Sequence, residues 1–348
     1  MSFVTTISDI LHKTLGPYYA EKVIMAANVL FHEWHMISPV YGSYATEEMA
    51  AIKDEELRAF DALDDESKWQ INKFVHTIRD YYVANSNPRL FFFNYSRIFE
   101  NDAQRHRSKE MRKEVMRARK EYKAPAADIV LGDYESLVAH HGLADSPLFI
   151  RNYIRNGVFL DVGACYGDST LVFLRHYAPQ KVIAFEPSPQ NREIYKRVMT
   201  LNKADTSKII ISQIALDKER KTIRFKDSGE PGNTLQETSD ADIVVDCLPL
   251  DMFCAENDIS GIRFIKADVE GMGLNVLLGA KEIIRKERPV LSLSIYHNKE
   301  ELFGIYQTLV SWQLDYSMRV SMMVFPMRVG ELSIFAWPRE IEEQVLSK

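Results

Sequence analysis

The run Phe159-Leu160-Asp161-Val162-Gly163-Ala164-Cys165-Tyr166-Gly167-Asp168-Ser169-Thr170 constrains this chain more than any other feature. It joins an apolar strand to the start of a helix through a turn with two glycines four residues apart. Glycines tolerate positive φ and let a ligand approach the backbone without Cβ clashes, while a helix N-terminus offers unpaired N–H groups. Such a turn suits a nucleoside ligand, with Asp168 or Ser169 as the expected N-cap. About 20 residues on, Val182-Ile183-Ala184-Phe185-Glu186-Pro187 reads as a second buried strand ending in an acid, from which a carboxylate can accept both ribose hydroxyls.

The dinucleotide fingerprint G-x-G-x-x-G is not met, because Asp161 stands where its first glycine would be and the later pair is spaced G-x-x-x-G. An anionic strand end disfavours a pyrophosphate and suits the ammonium of a methionine moiety, directly or through water. The charge pattern therefore favours S-adenosylmethionine over a nicotinamide cofactor. An NAD-dependent oxidoreductase is the competing enzyme class. A non-catalytic docking subunit, in which the helical N-terminal part does the work, is the alternative outside enzymes.

The chain has 348 residues, 46% hydrophobic and 26% charged, enough for an α/β domain and a smaller unit. A net charge of -6 gives no overall positive field for nucleic acid or an anionic membrane. Neither a signal peptide nor a membrane span is read. Cys165, Cys247 and Cys254 match no metal or disulfide framework and are expected as free thiols in a reducing cytoplasm.

Residues 1–125 carry helix-period patterns and are expected as a helical N-terminal domain; residues 126–348 are expected as the catalytic domain. The break is placed at Lys123-Ala124-Pro125-Ala126-Ala127. The basic run from Arg105 to Lys123 is expected as one long helix, read first as a solvated face and second as a docking face for an anionic carrier. Beyond the break, strands are expected at Val158 to Val162, Lys181 to Glu186, Lys208 to Ala215, Phe264 to Asp268, Val290 to Ile295, Tyr316 to Ser321 and Glu331 to Trp337. Helices are marked at Ser169 to Tyr177 and Leu274 to Lys286, and an added hairpin at Thr222 to Phe225 and Ile243 to Val245 around a turn at Gly229 to Asn233. The fold class is α/β, with a Rossmann-like seven-stranded sheet and a helical N-terminal part.

Together with the first two motifs, Phe185-Glu186-Pro187-Ser188-Pro189-Gln190-Asn191, Ile265-Lys266-Ala267-Asp268-Val269-Glu270-Gly271 and Ser294-Ile295-Tyr296-His297 resemble the FkbM family of S-adenosylmethionine-dependent methyltransferases over roughly residues 130 to 337. Ala267, where the family usually has a larger aliphatic residue, and Gly273, where Glu often stands, depart from its pattern. The resemblance implies O-methylation of a hydroxyl on a sugar or another small natural product. The cofactor set is Asp161, Gly163, Ala164, Tyr166, Gly167, Asp168, Ser169, Thr170, Glu186, Pro187, Ser188, Asn191, Ala215 and Asp268.

Methyl transfer needs an in-line acceptor oxygen and a group to take its proton. His297, at the end of the fifth expected strand, is the first choice for that base because imidazole titrates near neutrality. Asp268 and Glu270 complete the catalytic set; their holding a divalent metal is an alternative that is not preferred. The pairs His32/His35 and His140/His141, and the aromatic cluster Leu90 to Tyr95, are read as core or surface residues.

Overall fold

The computed structural model describes residues 46–86, 110, 113–126, 129–132, 134–225, 243–325 and 328–342. His32, His35, the aromatic cluster at 90–95, the start of the basic run and the turn at Gly229 to Asn233 lie outside these residues. In chain order the described elements begin with α1 (Glu47–Ala50), a 3-10 turn at Glu56–Phe60, α2 (Asp65–Ser86), α3 (Tyr134–Leu137) and α4 (Leu148–Ile154). The alternating part runs β1 (Val158–Val162), α5 (Asp168–His176), β2 (Lys181–Phe185), α6 (Pro189–Leu201), β3 (Ile209–Ser212), β4 (Ala215–Leu216), β5 (Lys221–Phe225) and β6 (Ile243–Leu248). It continues with α7 (Leu250–Glu256), β7 (Ile262–Ala267), α8 (Gly273–Leu278), α9 (Lys281–Glu287), β8 (Val290–Ser294), α10 (Lys299–Ser311), β9 (Tyr316–Phe325) and β10 (Arg328–Pro338).

Seven strands form one sheet in the order β3-β2-β1-β7-β8-β10-β9. β1 pairs in parallel with β2 on one side and β7 on the other, and β10 runs antiparallel to β8 and β9. The chain therefore leaves β1 in one direction and later returns on its other side, which opens a crevice at the carboxyl ends of β1 and β7. β1 is buried along its whole length, as strands covered on both faces must be. Its side chains alternate between two cores: Val158, Leu160 and Val162 in one, Phe159 in the other.

The helical residues 46–86 close one face of the sheet rather than standing apart from it. Phe60, Phe74 and Ile78 share the core that holds Leu160, Leu291 and Ile334. Phe60 packs against Phe303 and Tyr306 of α10 with ring centroids 5.3 and 5.1 Å away, and the Ser67 hydroxyl accepts the Val320 N–H of β9 at 2.8 Å.

Several expected elements are modified. The third strand stops at Ser212, whose hydroxyl accepts the N–H of Ile214, and Ala215–Leu216 joins a second sheet of order β4-β6-β5. There β5 and β6 pair antiparallel with Ile223 opposite Val245, which is the expected hairpin. The helix expected from Leu274 to Lys286 is two helices, broken where Gly279 passes the Asp217 carbonyl so closely that a Cβ would sit 2.2 Å from its oxygen. The basic run is helical at 113–118 and turns at 119–121, where the Arg119 guanidinium donates to the Gly132 carbonyl.

Because Phe60 is buried between α2 and α10, Phe60→Ala removes a side chain from the shared core. It should lower unfolding free energy by about 3–5 kcal/mol, read from urea denaturation followed by tryptophan fluorescence. A loss under about 1 kcal/mol would mean that residues 46–86 do not contribute to the core of the sheet.

Candidate active site

A cavity of about 480 Å³ opens at the carboxyl ends of β1, β2 and β7. The turn after β1 forms its floor. Gly163 has φ +75°, and a Cβ there would lie 1.8 Å from the Asp268 carbonyl oxygen, so only glycine lets this turn close against the end of β7. Gly167, with φ +82°, is the N-cap of α5 in place of the expected Asp168 or Ser169.

The Ser169 hydroxyl is instead turned inward, to Asp161. Asp161 has no exposed surface; its Oδ2 accepts the hydroxyls of Ser169 and Thr170 at 2.6 Å each, and its Oδ1 lies 3.4 Å from Lys266 Nζ. The pairing follows from register, since Asp161 lies opposite Lys266 across β1 and β7. Lys266 also donates to the carbonyl oxygen of Gly163 at 2.6 Å. Burial opposes the charge of Lys266, yet Asp161 and Asp268 outweigh it and hold the ammonium protonated. Asp161, expected near a ligand ammonium, does not line the cavity; its Oδ1 makes no hydrogen bond and faces Lys266.

Glu186 does face the cavity. Its Oε2 accepts the Cys165 N–H at 2.8 Å, and its Oε1 accepts the Ser188 N–H at 2.9 Å and the Asn191 amide at 3.4 Å. The second motif is thereby tied to the first. Burial pushes the Glu186 carboxyl above its ordinary value, against the pull of those donors. Beside it, Asn191 Oδ1 is buried without a hydrogen-bond partner.

Of the cofactor set, Gly163, Ala164, Tyr166, Asp168, Ser169, Glu186, Pro187, Asn191, Ala215 and Asp268 line the cavity. Gly167, Thr170 and Ser188 do not; the Ser188 hydroxyl caps α6 by accepting the Asn191 N–H. Sequence reasoning missed Lys266, His141, Arg119 and Glu331, which also line it. A lysine inside an apolar strand was the available signal for the first. The others come from segments outside the motifs.

His297 differs most from expectation. Its Nδ1 is 2.8 Å from Glu301 Oε2, and its Nε2 makes no hydrogen bond but lies 3.5 Å from Asp268 and 3.4 Å from Glu270. Burial alone would lower its pKa, but Glu270, Glu301 and Asp268 prevail and raise it to about 10. The ring is an imidazolium at neutral pH and does not line the cavity. Expected as the general base, His297 sits among three carboxyl groups and off the cavity lining. Burial opposes the charge of Asp268 as well, but Lys266 and His297 keep it ionised. Among the described residues no group of three or more His, Cys, Asp or Glu is arranged to hold a metal ion, and no helix is long and apolar enough to cross a membrane.

Residues 161–318 match the family model of the methyltransferase FkbM domain. The matched span is similar to that domain over a little under half of the chain. Its sheet resembles the crystal structure of the methyltransferase FkbM from Methylobacillus flagellatus KT, with a TM-score of 0.53 at 18% identity over 84% of this chain. This chain spans 62% of that protein's length. An rRNA methylase from Streptococcus thermophilus aligns over 61% of this chain and 99% of its own, with a TM-score of 0.38 and 10% identity. No curated protein matches the sequence. The matched span thus takes in the Asp161 turn, Glu186, Lys266, Asp268 and His297, while Arg119, His141 and Glu331 lie outside it.

The His297 cluster has a spectroscopic consequence. In 15N NMR spectra at pH 8, both ring nitrogens of His297 should carry protons, whereas a neutral ring at that pH would restore it as a base. The sign for stability follows: a pKa raised in the folded state stabilises fully below the ordinary histidine value, and that contribution is lost as pH rises through about 10.

Proposed function

We propose that the cavity binds S-adenosylmethionine and that the FkbM domain transfers its methyl group to a hydroxyl of a small molecule, a sugar or another natural product. The observation that carries this reading is Glu186, pinned by the N–H groups of Cys165 and Ser188 while it faces the cavity. A carboxylate offers about four acceptor sites, and the three donors already on Glu186 leave one, on Oε2, for a ribose hydroxyl. The unpartnered Asn191 Oδ1 beside it is a second acceptor that a ligand donor would satisfy. The cavity volume falls within the range of roughly 300–1,000 Å³ usual for small-molecule sites.

When bound, S-adenosylmethionine supplies an electrophilic methyl group on a positively charged sulfur. Around it the protein sets Asp268 and Glu270 on the lining, with the charge of Lys266 largely matched by Asp161 beneath the turn. That lining favours a cation over a neutral product. Tyr296 donates its hydroxyl to Asp268 at 3.3 Å and so holds that carboxylate at the crevice. The free thiols of Cys165, Cys247 and Cys254 agree with a cytoplasmic setting. The acceptor is proposed as a small molecule rather than nucleic acid, given the net charge of -6.

Isothermal titration should find S-adenosylhomocysteine binding with a dissociation constant of about 1–100 μM and no binding of NADH. Glu186→Ala should weaken that binding by about tenfold or more, the cost of losing a hydrogen-bond acceptor for charged or buried donors. Since protonation would occupy the acceptor that remains, affinity should fall as pH drops toward the raised pKa of Glu186. NADH binding in place of S-adenosylhomocysteine would overturn the cofactor assignment.

A further inference from the structure

We propose that His141 is the residue that accepts the proton of the acceptor hydroxyl during methyl transfer; the inference rests on the cofactor reading above. His141 lines the cavity, is 6% exposed, and its Nε2 is buried without a hydrogen-bond partner. A buried imidazole nitrogen left unpaired costs free energy unless a ligand satisfies it. The other unpartnered buried atom on the lining, Asn191 Oδ1, sits beside Glu186 at the ribose end. His141 instead shares the lining with Val162, Gly163, Lys266 and Asp268, at the ends of β1 and β7.

Its position is held from several elements. The backbone at His141 has φ +52°, a left-handed conformation, and its N–H donates to the Glu135 carbonyl at 2.8 Å. His140 Nδ1 lies 2.7 Å from the Tyr177 hydroxyl, and its ring stacks on His176 at 4.7 Å. On the other side, Arg319 donates to the Gly142 carbonyl at 2.9 Å, and Gly142 is pressed against the Phe335 ring. Contacts from α5, β9 and β10 thus hold the residues on both sides of His141, whose own ring packs against Phe173 of α5 at 6.0 Å. Such locking is what positions a reacting group.

Burial and the nearby Lys266 push the His141 pKa down to about 3, so the ring is neutral and able to accept. A weak base suffices. As the acceptor oxygen gains the methyl carbon, the electron pair of the broken carbon–sulfur bond stays on sulfur, and the hydroxyl proton becomes strongly acidic. It passes to Nε2, so one positive charge leaves sulfur and one appears on the ring, beside the carboxylates of Asp161 and Asp268, before the proton returns to solvent. The charge of the cavity is conserved through the step, and no external oxidant or second base enters the balance.

The test needs no knowledge of the acceptor. Sinefungin carries an amine-bearing carbon where S-adenosylmethionine has its methyl sulfonium, so its ammonium can donate to Nε2, while S-adenosylhomocysteine has nothing there to donate. Calorimetry on the full chain should show His141→Leu losing about tenfold in sinefungin affinity with S-adenosylhomocysteine unchanged, and His141→Gln recovering part of the loss. An unchanged ratio of the two affinities, or an equal loss of both, overturns the assignment. Should His141→Leu fail to fold, 15N spectra of the wild-type ring decide: Nε2 should shift with sinefungin and not with S-adenosylhomocysteine, and equal responses refute it. If neither compound binds the wild type, the cofactor reading itself falls.

Discussion

The carboxylate of Asp161 is the point on which the nucleoside turn depends. It is buried between the end of β1 and the start of α5, and its oxygens take the hydroxyls of Ser169 and Thr170 and the charge of Lys266. A buried ion pair is weak evidence for stability, but removing one partner leaves an uncompensated charge and typically costs about 3–5 kcal/mol. What this pair provides is geometry. Lys266, held by Asp161, reaches the Gly163 carbonyl, and Gly163 in turn closes against Asp268, so one charge contact sets the distance between the two strand ends that frame the crevice.

A second set of charges lies at the far side of the same crevice. His297 lies within 3.5 Å of Asp268, 3.4 Å of Glu270 and 2.8 Å of Glu301, one ring among three carboxyl groups. The Glu301 carboxylate also accepts the N–H of Gly273 at 2.6 Å, which couples the cluster to the start of α8. Excess negative charge left on Asp268 and Glu270 faces the cavity, where the matched Asp161 and Lys266 pair beneath the turn does little to cancel it. The division is physical: full pairing beneath the turn makes the backbone rigid, and incomplete pairing at the rim leaves a field for a cationic ligand.

Much of this was legible in the sequence, because strand periodicity and turn chemistry are local. β1 was read to the residue, and Glu186 was expected at the end of the second strand, where it lines the cavity. The hairpin β5–β6 was also read, although the third strand was overextended, since the turn at Ser212 depends on a side-chain bond that periodicity does not carry. Two placements differ from expectation for a shared reason. Asp161 and His297 were taken as free groups facing a ligand, but whether a charge is spent inside the protein depends on partners far along the chain: Lys266 lies 105 residues after Asp161. Register decided the first case, with Lys266 directly opposite Asp161.

The residues that reading missed are the ones the family motifs do not include. His141, Arg119 and Glu331 enter the cavity from before and after the matched span, the first two on turns and Glu331 on β10. A histidine pair in a turn carries no periodicity, and His141 becomes distinctive only when Tyr177, His176 and Phe335 close around its neighbours. The motifs thus build one side of the cavity, from the turn after β1 to Glu186, and segments outside the matched span complete it. Loops of that kind vary where a scaffold does not, which is why the proposed cofactor was easier to read from sequence than the proposed acceptor.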